Sequence, residues 1–248
     1  MSLNFSKKTA AYLVGLPAWV FASFFLAQIL LRVVLEIMLA AGVSFDSFSE
    51  PVFNTVVGAV VYALAIFIVI WVPWRFKKFA TTKNDLGIQR WPSWLDIVWA
   101  PAGLIVYFIL TALMAAFAMA FLPFVDYNQA QETGFGNVST QFEYALAFIT
   151  LVIVAPVAEE LLFRGYLFGK LRKHAPLWAS ILITSVLFGL VHMQWNVGLD
   201  VFVLSIVLCL LRVMSGSIWP AILLHMLKNG IAYYFLFVNP TALSTLGG

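Results

Sequence analysis

The sequence predicts an all-α fold, a polytopic transmembrane bundle of about seven helices, and three observations carry that prediction. Hydrophobic residues fill 63% of the 248 positions and charged residues only 10%, where soluble domains carry roughly 25% charge. Apolar runs recur along the whole chain, and about 20 such residues suffice to cross a hydrocarbon core about 30 Å thick. The runs also lack the alternation of barrel strands, and a backbone in lipid must satisfy its own hydrogen bonds, so helices are the workable solution.

Taken in order, the predicted spans are residues 12–41, 55–74, 95–124, 144–168, 177–193, 199–214 and 218–238. The first follows Lys7 and Lys8 and is far longer than the apolar core of a secretory signal, which predicts a retained helix. The fifth and sixth are short for a full crossing and the first and third are long, which leaves room for a broken or re-entrant helix, or for an eighth segment. Trp71, Trp74, Trp91, Trp94, Trp178, Trp195 and Trp219 fall near span ends, where tryptophan anchors at the interface. Residues 81–93 and 126–141 read as loops. The chain thus divides into residues 1–142, with three spans and a basic cytoplasmic loop, and residues 143–248, with four spans. Together they make one integral membrane domain.

Charge sets the orientation, because Lys and Arg accumulate in cytoplasmic loops. Lys7 and Lys8 precede the first span; Arg75, Lys77, Lys78, Lys83 and Arg90 follow the second; Lys170, Arg172 and Lys173 end the fourth; Arg212 ends the sixth. All lie on one side. The other side carries Asp46, Glu50, Asp126 and Glu132. The expectation is a multi-pass protein, of the cell membrane in a prokaryote, with its N-terminus in the cytoplasm and its C-terminus outside. The net charge of +3 then reports topology and asks for membrane lipids as partners, not nucleic acid. The single Cys209 excludes an intrachain disulfide and a thiolate metal cluster.

Ionisable groups inside a membrane are costly and each needs a partner or a function. Arg32 and Glu36 lie four apart in the first span and read as a structural ion pair. In the fourth span, Glu159 and Glu160 are followed by Arg164. Glu160 and Arg164 share a helix face, whereas Glu159 points about 100° away and lacks that partner. Such a carboxylate suits acid and base work. Two of the three histidines, His192 and His225, lie in apolar segments, and Asn229 is four residues beyond the second. At about 1.5 Å per residue, Glu159 and His192 lie roughly 22 Å and 27 Å from the turn between their spans. His225 and Asn229 lie roughly 15 Å and 21 Å up the last span, so four polar side chains from three helices can converge.

Glu159-Glu160-Leu161-Leu162-Phe163-Arg164, Phe188 to His192 and His225 to Asn229 resemble, in order, the EExxxR, FxxxH and HxxxN motifs of the CAAX-protease and bacteriocin-processing (CPBP, or Abi) family, which includes the Rce1-type prenyl endopeptidases. The resemblance covers roughly residues 151–234 and implies that residues 143–248 form the catalytic core. It implies an intramembrane endopeptidase in which Glu159 and His192 activate a water while His225 and Asn229 stabilise the oxyanion, with Glu160, Arg164 and Phe188 in support. No cofactor is expected on this reading. The alternative is a zinc metallopeptidase with Glu159, His192 and His225 as ligands, although HExxH is absent and Asn is a poor zinc ligand. A non-enzymatic immunity or scaffold protein would keep the same residues as a structural network. The expected partner is a peptide or protein substrate, lipidated in the CAAX case and otherwise a leader or signalling peptide.

Overall fold

The computed structural model describes residues 7–77, 79–127, 129 and 131–241, with side chains from Thr9 onward, so Lys78 and the side chains of Lys7 and Lys8 lie outside the described residues. The apolar runs become helices. They are α1 (Lys7–Ala40), α2 (Glu50–Lys77), α3 (Lys83–Leu86) and α4 (Trp94–Phe121), then α5 (Gln141–Leu171), α6 (Leu177–Leu190), α7 (Trp195–Ser215) and α8 (Trp219–Val238). Six are long and apolar enough to cross a membrane. The exception among the predicted spans is α6, whose 14 residues reach only about 21 Å. The predicted sixth span is longer than expected, because α7 begins at Trp195 and runs for 21 residues.

The broken helix is in the fourth span. Within α5, α-helical turns alternate with π-helical stretches at Ile149–Val154 and Leu161–Leu167. Pro156 explains part of the first break. The Ala155 N–H bonds the Thr150 carbonyl, and residue 156, which a π turn would pair with Leu151, has no N–H to give. The Leu151 carbonyl instead accepts from Asn229 Nδ2 at 2.9 Å. The second π stretch starts right after Glu160, and such bulges collect at functional positions.

At the basic end, the segment expected as a plain loop contains a helical turn. Thr82 and Asp85 form a reciprocal capping box around α3, and Gly87 closes it in the left-handed region. The turn lies across α5 so closely that a Cβ at Gly169 would stand 2.1 Å from the Asp85 carbonyl oxygen. Asp85, 3% exposed, pairs with Lys170 at 3.7 Å and with Lys173, and Arg212 donates to the Asn84 carbonyl. Basic residues of α5 and α7 therefore meet at one end, as the charge pattern predicted. At the opposite end the connection after α4 folds back onto the bundle. Asn54 donates to Gly134 O, Asn196 to Gln129 O and Asn137 to Glu50, and Phe135 is buried beneath.

Burial alone would push the Asp85 carboxyl up, but the hydrogen bond from Lys173, the Thr82 N–H and the charge of Lys170 together hold it below its ordinary 3.8. A depressed carboxylate contributes stability that is fully present above its unfolded value and lost as pH falls through the folded one. Asp85→Asn is therefore expected to lower stability at neutral pH by about 1–3 kcal/mol. The gap in melting temperature from wild type should close as pH drops below 3.8. A gap that persists in acid would assign the effect to the capping box alone.

The apolar core runs through both halves of the chain. One cluster joins Leu16, Val20 and Ala27 of α1 and Val61, Ala65 and Ile68 of α2 to Leu162, Phe163 and Tyr166 of α5 and Phe188 of α6. A second unites Ala100 and Tyr107 of α4 with Leu204 and Leu208 of α7 and Leu224 of α8. The polar motif residues lie where α5, α6 and α8 meet, walled in on the other side by α1 and α2.

Candidate active site

Phe188 is the packing hub of the site. It is fully buried, and its ring meets His192 edge-on at 5.1 Å, His225 at 5.9 Å and Phe163 at 4.9 Å between centroids. The Arg164 guanidinium carbon stands 4.3 Å from the centre of the same ring, a cation over the electron-rich face. One aromatic side chain thus fixes the spacing of both histidines and the arginine.

The charged residues form a buried chain. Arg164 Nη1 donates to Glu160 Oε1 at 2.8 Å, and His225 Nδ1 reaches the same oxygen at 2.9 Å. A carboxylate oxygen only accepts, so Nδ1 of His225 carries its hydrogen. The side chains of Arg164 and Glu160 are wholly buried and that of His225 is 4% exposed. Glu159 differs, as its position 100° round the helix predicted. It accepts from the Tyr62 hydroxyl at 2.5 Å through Oε1, and its Oε2 faces His225 Nε2 at 3.8 Å.

His192 completes the group. The chain turns sharply after α6, with Met193 at φ 57°, and a close crossing of α6 on α7 brings this turn inward. A Cβ on Gly189 would stand 2.8 Å from the Gly198 carbonyl oxygen. His192 Nδ1 lies 2.8 Å from the Phe188 carbonyl, which can only accept, so Nδ1 bears the hydrogen and Nε2 is left open. Glu159, His192 and Tyr62 share a cavity of about 140 Å³ whose remaining wall is apolar, from Val20 and Phe24 of α1 to Leu162 of α5. A water-sized ligand fits such a space.

Glu159, Glu160, Arg164, Phe188, His192 and His225 are therefore brought together. Asn229 sits one turn beyond His225 on α8 and gives one amide hydrogen to Leu151 O. It lines a separate, smaller cavity with Lys228. Arg32 and Glu36 form the expected pair at 3.6 Å, exposed on the outside of α1 and away from the site. Among the described residues, no set of three His, Cys, Asp or Glu side chains is disposed to share a metal ion. The 3.8 Å between Glu159 and His225 exceeds the roughly 3.3 Å that two tetrahedral zinc ligands subtend at bond lengths near 2 Å.

Two features escape a reading of the motifs. Tyr62 lies 97 positions before Glu159, and its only signal was a hydroxyl in the middle of an apolar span, which needs a partner there. The other is a brace at Asp200, which accepts from Tyr107 at 2.5 Å and Thr111 at 2.7 Å and pairs with Lys228 at 3.2 Å. It pins α4, α7 and α8 together.

Comparison with known proteins finds similarity centred on the same part of the chain. The family model for type II CAAX prenyl endopeptidase Rce1-like proteins matches residues 141–231. This segment is similar to the Rce1-like proteins. The Rce1-like segment runs from the start of α5 into α8 and contains every motif residue from Glu159 to Asn229. The chain is 27% identical over 179 residues to the putative membrane peptidase YdiL of Bacillus subtilis, covering 69% of this chain and 68% of that protein. It is 28% identical over 97 residues to the membrane-embedded CAAX protease MroQ of Staphylococcus aureus, covering 37% and 39%. It is 35% identical over 95 residues to an uncharacterized 24.3 kDa protein of Escherichia coli, covering 36% and 44%. The match thus spans less than half of the last two relatives. No solved structure matches the chain.

Proposed function

We propose that the protein is an intramembrane endopeptidase that cleaves a membrane-associated peptide or protein with a water activated by Glu159 and His192, without a metal. The observation that carries the proposal is the open carboxylate Glu159 sharing a cavity with His192, whose Nε2 is free. A water between them attacks the carbonyl carbon of the substrate. Its proton passes to the Glu159 carboxylate, with the His192 Nε2 as the second acceptor. When the C–N bond breaks, that proton goes to the leaving amine. His225, held by Glu160 through Nδ1–H, is assigned to the oxyanion in its imidazolium form, in which Nε2 also carries a hydrogen to donate, together with Asn229. Asn229 gives one hydrogen of Nδ2 to Leu151 O and lines the neighbouring cavity beside Lys228, so its share in the oxyanion rests on the HxxxN resemblance and needs its second hydrogen turned toward the Glu159 cavity.

The basic end is placed in the cytoplasm on the distribution of Lys and Arg. A lipidated substrate is favoured by an apolar groove of about 490 Å³ between α6 and α7, which includes Met193, the residue after His192. The test is cleavage of prenylated and unmodified quenched peptides by the detergent-purified protein, with and without a strong chelator. The expected result is cleavage, faster for the prenylated peptides, at a rate the chelator leaves unchanged. Loss on chelation with recovery on added zinc would replace the metal-free mechanism. Cleavage that ignores prenylation would remove the lipidated class.

A further inference from the structure

Glu159 is oriented by a residue outside the Rce1-like segment. Tyr62 stands near the middle of α2, 12 residues after Glu50, which is about 18 Å along the helix and deep in the apolar layer. A phenol there must find an acceptor within the protein. The acceptor it finds is Glu159 Oε1, at 2.5 Å. The neighbouring polar contact between α2 and α5 serves packing, since Thr150 donates to Thr55 across the interface at 3.2 Å and Thr55 donates in turn to the Pro51 carbonyl of its own helix. The Tyr62 ring packs against Phe24 of α1 with centroids 6.1 Å apart, so the hydroxyl is delivered from a fixed wall.

The two oxygens of Glu159 thereby have different duties. Oε1 is tied to Tyr62, and Oε2 faces His225 Nε2 at 3.8 Å. Resting on the peptidase reading above, we infer that Tyr62 is a positioning residue of the reaction, its hydroxyl holding the Glu159 carboxylate in the plane that presents the second oxygen to the attacking water. In this arrangement α2 supplies part of the active site, and the matched segment 141–231 is incomplete without it. Free of the hydroxyl, Glu159 can rotate about its side-chain bonds, and general-base catalysis is sensitive to such displacement.

The experiment measures kcat, KM and melting temperature of the full chain as wild type, Tyr62→Phe, Glu159→Gln and the double variant, on one cleaved peptide. Tyr62→Phe keeps the ring against Phe24 and removes only the hydroxyl. It is expected to lower kcat by about tenfold or more, the scale of a hydrogen bond to a charged group, with KM changed less than about threefold. In the Glu159→Gln background the same change should cost nothing further, because the group it positions is gone. Wild-type kcat in Tyr62→Phe with Glu159→Gln inactive would overturn the inference alone. So would a fall in kcat that accompanies a lowered melting temperature and recurs in the Glu159→Gln background, which marks packing. No cleavage by wild type would overturn the peptidase reading, full cleavage by Glu159→Gln would overturn the general-base role of Glu159 alone, and either would take this inference with it.

Discussion

Glu159→Gln is expected to leave a folded protein whose kcat has fallen by about 10³-fold or more, the upper part of the range for loss of a general base. The amide is nearly isosteric, and its oxygen can still accept from Tyr62, so the 2.5 Å contact and the cavity wall survive. What disappears is a group able to take a proton from water. Glu160→Gln, one residue away, should behave in the opposite order. Glu160 is wholly buried and receives both Arg164 and His225 on one oxygen, so its neutralisation leaves the guanidinium without a counter-charge and lowers stability first. The pair separates chemistry from architecture by two adjacent positions. Equal loss of melting temperature in both, or more than a tenth of wild-type turnover in Glu159→Gln, would take the general-base role away from Glu159. Thermal unfolding in detergent alongside peptide cleavage reads both.

How much of this was legible in the sequence follows from what each signal depends on. Hydrophobic length is a property of the chain itself, so every predicted span corresponds to a helix, with ends displaced by a few residues where an amphipathic end such as Trp195 extends the helix. The spacing of Glu160 and Arg164 and the 100° offset of Glu159 are helical geometry and were readable directly. The capping box of Thr82 and Asp85 was present in the sequence as well, but a single helical turn has little periodicity to announce it. Contacts between distant segments were not readable. Tyr62 looks like any aromatic in an apolar run until Glu159 is placed beside it, and Asp200 and Lys228 are separate charges until α7 and α8 are packed. The depth argument put Asn229 level with the histidines, yet the carbonyl stranded by Pro156 claims one of its hydrogens. Local break and distant partner had to be known together.

Removing Arg164 should have the largest effect on stability. Its side chain has no exposure, it donates to Glu160 at 2.8 Å and it covers the Phe188 ring. A buried pair gains little over a well-packed apolar pair, but breaking it from one side strands a charge and costs about 3–5 kcal/mol. Arg164→Met keeps the unbranched stem of the side chain but removes the guanidinium, and it is expected to fall in that range, with the Phe188 ring and both histidines loosened. The double variant Glu160→Gln with Arg164→Met removes both charges, so it should be more stable than Arg164→Met alone, a non-additivity that only residues sharing a partner produce. It should still turn over poorly, because His225 has lost the anion that held Nδ1. Additive losses in the double variant would mean that Arg164 acts by packing on Phe188 and not by neutralising Glu160. The contrast decides whether the buried ion pair serves the fold alone or also holds His225 for the oxyanion.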